Sequence, residues 1–240
     1  MEPDVRFQLL EGRFAKILAQ LREFRRLHPA TRPMMVVELW GTPKAGKSTM
    51  LTTMRDFLKR NGWKVTARPE GAEVVDYPRT TPHYNFQTWR YAMSELYTHL
   101  YGDWEAILLD RGLKDGEVWL DYWLSKNKLS PEDHAALVGA YNAKIYRDQF
   151  DLHICMVCKP EIALERELAH AISKKEGETM NLKTLNALLA IHDRVCDRSS
   201  GKTDSKMVRH DTSDETPIQT AEAVLNAVAS AFERRLETLK

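Results

Sequence analysis

The residues best suited by type and spacing to do chemistry are Gly41-Thr42-Pro43-Lys44-Ala45-Gly46-Lys47-Ser48-Thr49. Glycines at the first and sixth positions permit positive φ, so consecutive backbone N–H groups can turn inward and form a concave nest for an anion. A helix starting directly after the loop adds the favourable end of its dipole. Lys47 then offers a mobile charge to the outer phosphates of a nucleoside triphosphate. The Ser48 hydroxyl is a ligand for the Mg²⁺ that accompanies them. This spacing is the P-loop, or Walker A, pattern, and Gly41 to Thr49 are the candidate nucleotide-binding residues.

Further candidates follow. The apolar run Ala106-Ile-Leu-Leu ends in Asp110, as expected of a strand-end carboxylate that holds Mg²⁺ directly or through water. Arg111 adjoins it and is placed either to steady a transferring phosphoryl group or simply to pair with Asp110. Arg68-Pro69-Glu70-Gly71 stands just past another short apolar run. Residues 72–85 read as irregular, broken by Pro78 and Pro82, with Arg79 and Tyr84 in a candidate substrate loop. Phe86, Trp89 and Arg90 open the following helical stretch and could reach a bound ligand, although aromatics at that spacing also serve packing.

The elements that must position these residues are legible as an alternation of strands and helices. Met34 to Trp40 is an apolar run feeding the loop, and a helical pattern spans Thr49 to Arg60, closed by Asn61-Gly62. Strands are predicted at 63–67, 106–110, 151–158 and 207–210, and helices at 86–101, 131–147, 160–175, 182–195 and from Pro217 onward. Parallel strands in such a pattern bind ligands beyond their carboxyl ends, where Glu70 and Asp110 fall. The predicted fold is α/β: a three-layer αβα sandwich on a five-stranded parallel sheet, covering residues 34–240. An amphipathic helix over 5–28 occupies an N-terminal extension, residues 1–33. Its basic face suits packing on the main domain, a homodimer mate or a protein partner. The charged break at 174–182 is a candidate lid.

Composition narrows the function classes. Lys and Arg (35) nearly cancel Asp and Glu (34), so no bulk field favours nucleic acid or an anionic membrane, and neither is an expected partner. No apolar run reaches the ~18 residues that cross a bilayer. Three cysteines fit a reducing, cytoplasmic compartment. Cys155 and Cys158 lie in an apolar run at a spacing that turns them to opposite faces of a strand, which favours buried cysteines over a redox pair.

The order of these motifs resembles the thymidylate kinase and deoxynucleoside kinase families. Gly41 to Thr49 is similar to the thymidylate kinase loop subtype with a basic residue inside it, where Lys44 stands in place of Arg. Arg68-Pro69-Glu70-Gly71 is a permuted form of the Arg-Glu-Pro-Gly after strand two. Asp110-Arg111-Gly112 is similar to the Asp-Arg-Tyr or Asp-Arg-Ser after strand three, and Pro160-Glu161-x-x-Leu164-x-Arg166 to the segment leading into the lid. No second Arg follows there, so either Lys44, Lys174 or Lys175 substitutes or the lid chemistry is lost.

The resemblance implies an ATP- and Mg²⁺-dependent kinase acting on a nucleoside or nucleoside monophosphate, with Lys47, Lys44, Asp110, Arg111 and Glu70 as catalytic candidates. Ser48 and Asp110 are the metal candidates. Substrate would be met by Arg68, Glu70, Arg79, Tyr84, Phe86, Trp89, Arg90 and Arg111. A hydroxyl acceptor calls for Glu70 or Asp110 as base, whereas a phosphate acceptor calls for Arg68, Arg79 and Arg90 as a clamp, and the several arginines of this region favour the phosphate. Two other readings stay open: a nucleotide-switched ATPase or GTPase acting on a partner through the N-terminal helix, and a kinase for a nucleic-acid end.

Overall fold

An apolar run without polar alternation is what a strand covered on both faces requires. In the computed structural model the run after Met34 forms β1 (Met35–Gly41), buried at every position. The structure describes residues 3–31, 33–169, 177, 179–200 and 206–239. Along the chain come α1 (Pro3–Leu27), β1, α2 (Lys47–Arg60), β2 (Val65–Arg68), α3 (Gly71–Val74), α4 (Pro82–Leu100), β3 (Ala106–Asp110), α5 (Leu113–Ser125), α6 (Pro131–Tyr141), α7 (Lys144–Arg147), β4 (Leu152–Val157), α8 (Pro160–Leu168), α9 (Leu182–Ser200), β5 (Met207–Asp211) and α10 (Pro217–Leu239).

The five strands form one parallel sheet in the order β2-β3-β1-β4-β5. β1 lies between β3 and β4, so the loop that leaves it opens at the switch point of the sheet. The register Leu39↔Asp110 sets the Asp110 carboxylate beside the start of that loop. Alternate strand residues divide the core. Met35, Val37, Leu39, Ile154 and Met156 face a layer of α1, α2 and α10, whereas Val36, Trp40, Ile107, Leu109 and Cys155 face α4, α5 and α9. Cys158 belongs to the first layer and Cys155 to the second, and both are buried, free thiols.

Helix α1 shares the α2–α10 core through Leu10, Phe14, Ile17 and Leu21, and Phe14 sits edge-on to Phe57, Trp63 and Phe232. Its basic face is partly used: Arg13 grips Glu233 at 2.7 Å and Asn226 at 2.8 Å, Arg6 pairs with Glu222, and Arg22 with Glu105 at 2.6 Å.

Two expectations need correcting. Residues 72–85 are not irregular throughout, because α3 occupies 71–74 and α4 begins at Pro82. There Thr81 caps the helix by accepting from the Tyr84 N–H, and proline is well suited to the first turn rather than a breaker. The predicted helix over 131–147 ends at Tyr141, with Asn142 as its cap, and α7 is separate. Among the described residues no helix is long and apolar enough to cross a membrane. Of the predicted lid, residues 174–176 and 178, and with them Lys174 and Lys175, lie outside the described residues.

Candidate active site

Gly41 ends β1 with φ 135°, and a Cβ there would sit 1.8 Å from the Met156 carbonyl oxygen, so glycine alone lets the chain leave the sheet at this point. Gly46 caps α2 at φ 86° with open space around it, so it serves the left-handed backbone. Lys44, between them, also has positive φ, 58°. The loop is pinned from both sides. Thr42 N donates to Met156 O, its Oγ1 accepts from Cys158 N at 3.0 Å, and Thr212 Oγ1 donates to Ala45 O at 3.2 Å.

Lys47 Nζ donates to Thr42 O at 2.7 Å. Burial first, then the Arg111 charge, brings its pKa down to about 8 against the pull of Asp110, Asp115 and Glu70. An arriving phosphate would supply the anion this ammonium lacks.

Ser48 Oγ donates to Asp110 Oδ2 at 2.8 Å, while Asp110 Oδ1 is buried with no hydrogen-bond partner. A hydroxyl beside a carboxylate with an unused oxygen is a donor set of the kind Mg²⁺ takes together with phosphates. Among the described residues no group of three or more His, Cys, Asp or Glu side chains could hold a metal without such help.

Arg111 has φ 63°, a left-handed backbone uncommon for a residue with a side chain, at the turn where β3 hands over to α5. Its Nε lies 2.5 Å from Glu70 Oε1, and Nη1 lies 2.7 Å from Asp115 Oδ1. Glu70 and Asp115, not Asp110, are thus its ion-pair partners. Burial weighs against the Arg111 charge, but Asp115, Glu70 and Asp110 outweigh it and hold the pKa above its ordinary value. Burial raises Glu70, opposed by Arg111. Asp115 is held in turn by Trp119 Nε1 at 3.1 Å. The fully buried Glu38 carboxylate accepts the Lys114 and Asp115 backbone N–H groups, anchoring the first turn of α5.

Two cavities meet here. One, of about 780 Å³, is lined by Pro43 to Met50 and by Glu70, Arg111, Arg166 and Thr212. The other, of about 170 Å³, is lined by Arg79, Tyr84, Asn85, Trp89, Asp110 and Asp115 among others. Pro43, Glu70 and Arg111 border both. Trp89 stacks on Tyr141 at 4.1 Å, yet its Nε1 has no hydrogen-bond partner.

Of the predicted substrate residues, Glu70, Arg79, Tyr84, Trp89 and Arg111 come together, whereas Arg68, Phe86 and Arg90 do not. Arg68 pairs with Glu95 on α4. Arg90 lines a separate groove with Tyr77 and Tyr91, and Phe86 is 37% exposed over the Trp89 ring. Lys44 lies at the rim of the larger cavity with Nζ 2.6 Å from Glu167.

Arg166 was missing from the predicted site. It donates from Nη1 to Lys44 O at 3.0 Å and from Nη2 to Thr212 O at 2.6 Å, spanning the mouth of the phosphate cavity from α8 to the turn after β5. Asp115, Asn85 and Thr212 were also missed.

A phosphate loop leaving the central strand of a five-stranded parallel sheet, beside a strand-end carboxylate and with helices on both faces, defines the P-loop NTPase fold. No protein-family model matches the sequence, and no curated protein does. Among solved structures the chain is similar to deoxyadenosine kinase from M. mycoides with bound dATP, with a TM-score of 0.56 and 17% identity over 80% of this chain and 97% of that one. At this identity the likeness is one of fold.

Proposed function

We propose that this protein transfers the γ-phosphoryl group of ATP to a small-molecule hydroxyl, that of a nucleoside. The observation that carries the reading is the meeting of two cavities at Glu70 and Arg111, one bounded by the phosphate loop and one by aromatic and polar side chains. A hydrolytic switch needs only the first.

The chain's residues divide the work. The loop amides and Lys47 hold the triphosphate, Lys47 exchanging Thr42 O for a phosphate oxygen. Ser48 and Asp110 would hold Mg²⁺, which would supply positive charge to offset that of the phosphates. Glu70, its pKa raised by burial, takes the acceptor proton as the oxygen–phosphorus bond forms and ADP departs. Arg111 faces the charge that develops between the cavities, held in place by Asp115.

The arginine arrangement favours a hydroxyl over a phosphate acceptor, because of the three clamp candidates Arg79 alone lines the acceptor cavity, Arg68 and Arg90 lie elsewhere, and Arg111 is already doubly paired. A panel of nucleosides and nucleoside monophosphates incubated with ATP and Mg²⁺, read by mass spectrometry for an added phosphate, tests the proposal. Acceptor-dependent product supports it, and ADP release indifferent to every acceptor removes it.

A further inference from the structure

Behind α5, away from the phosphate loop, lies a third cavity of about 570 Å³, within the range of small-molecule sites. It is lined by Lys114, Glu117, Val138, Asn142, Arg147, His153, Arg198 and Lys206, with Asp148 at its edge. Nothing in the proposed phosphoryl transfer uses it.

Its floor is charged and buried. Lys114 and Glu117 are both buried and paired at 2.5 Å, and Lys114 Nζ also donates to Asn142 Oδ1. His153, likewise buried, donates from Nδ1 to Glu38 Oε2 at 2.7 Å, which leaves Nε2 as an acceptor for a hydroxyl of an incoming group. The rim is cationic. Lys206 Nζ is engaged by a neutral acceptor, Phe150 O at 2.6 Å. Arg147 stands 4.0 Å from Asp148, and Arg198 pairs at 2.7 Å with Asp121 outside the lining. Four cations thus face two carboxylates, one of them already committed to Lys114. Among the described residues no carboxylate pairs with Lys206, and the one beside Arg147 is 4.0 Å away; cations left so loosely matched are suitable receptors for carboxylate or phosphate.

We infer that this cavity is a second binding site that takes a small hydroxyl-bearing polyanion, carboxylate or phosphate, its hydroxyl toward His153 Nε2 and its anionic oxygens toward the Lys206–Arg198 rim. It shares one support with the candidate active site: Glu38 holds both His153 and the α5 turn that carries Asp115. The inference does not rest on the kinase reading and could survive its failure.

Calorimetry with citrate and, separately, inorganic phosphate tests it, at constant ionic strength set with chloride and without Mg²⁺. A Lys47→Ala background weakens the competing phosphate loop. Saturable binding of at least one probe is expected, weakened at least tenfold by R198E/K206E. Citrate alone would mark a carboxylate site and phosphate alone a phosphate site. The same reversals in the wild-type loop should leave ATP affinity within about twofold, because they sit on the far side of α5; this also verifies folding. The His153 ring resonances should shift on titration with the bound probe. No saturable binding of either probe, binding indifferent to R198E/K206E, or a silent His153 ring would each overturn the inference.

Discussion

Replacing Glu70 by glutamine preserves the size and polarity of the side chain but removes its capacity to accept a proton. Arg111 loses one partner, 2.5 Å away, and keeps Asp115 at 2.7 Å, so its buried guanidinium is not stranded. A stability loss of about 1–2 kcal/mol is therefore expected, below the ~3–5 kcal/mol of breaking a buried pair outright. The catalytic effect should be larger. Loss of a general base costs roughly 10²–10⁴ in rate, or about 2.7–5.4 kcal/mol of barrier. Steady-state turnover with ATP, Mg²⁺ and the best acceptor, together with calorimetric ATP binding, separates the two: kcat falls at least ~100-fold while ATP affinity changes little.

The pH profile gives a second handle. The base must be ionised, and burial raises Glu70 above 4.5. Wild-type kcat/KM should therefore decline as pH falls through a midpoint above that value, and this limb should vanish in the variant. A kcat within about threefold of wild type and an unchanged acid limb would refute the base assignment, leaving a phosphate acceptor, which needs none.

Lys47→Ala should abolish turnover without unfolding the chain, as circular dichroism and activity together will read. The Lys47 pKa of about 8 lies below the ordinary 10.5, so between those values the unfolded state holds more protons and wild-type stability rises with pH, by up to ~3 kcal/mol. Urea titrations should show that rise in the wild type and its loss in the variant. Asp110→Asn keeps an acceptor for Ser48 Oγ but removes the charge, so the Mg²⁺ concentration for half-maximal activity should rise by roughly tenfold or more; an unchanged requirement would dismiss Asp110 as a metal ligand. Burial raises Asp151 to about 6, against the Val36 N–H bond. Because its native pKa exceeds the unfolded one, stability should fall by up to ~3 kcal/mol as pH rises from about 4 to 6. Asp151→Asn should flatten that slope.

The phosphate loop was legible because all its parts are neighbours in sequence and its glycines are required by backbone geometry at fixed offsets. Asp110 was legible for a related reason: a buried strand that ends in a carboxylate stands out in an apolar run. Arg166 and Thr212 were hidden because they reach the loop across more than a hundred residues of chain. The errors on α4 have a simpler cause. With the helix beginning at Pro82, Asn85, Thr88, Trp89 and Ala92 form one stripe at spacings of three and four and face the cavity. Phe86 and Arg90 lie a hundred degrees round from Asn85 and Trp89 and face outward. A helix start placed four residues late left Asn85 outside that stripe. The Glu38–His153 pair left no trace either, since each residue reads as an isolated polar interruption of an apolar strand.

The clasp between α1 and α10 bears on how the molecule is made. Arg13 meets Glu233 across 220 positions, and Phe14 meets Phe232 beside them. At a synthesis rate of roughly 5–20 residues per second, α1 leaves the ribosome about 10–40 seconds before its cover exists. For that interval Leu10, Phe14, Ile17 and Leu21 have α2 and Trp63 to pack against and lack the α10 side of their cover, which only the end of synthesis supplies.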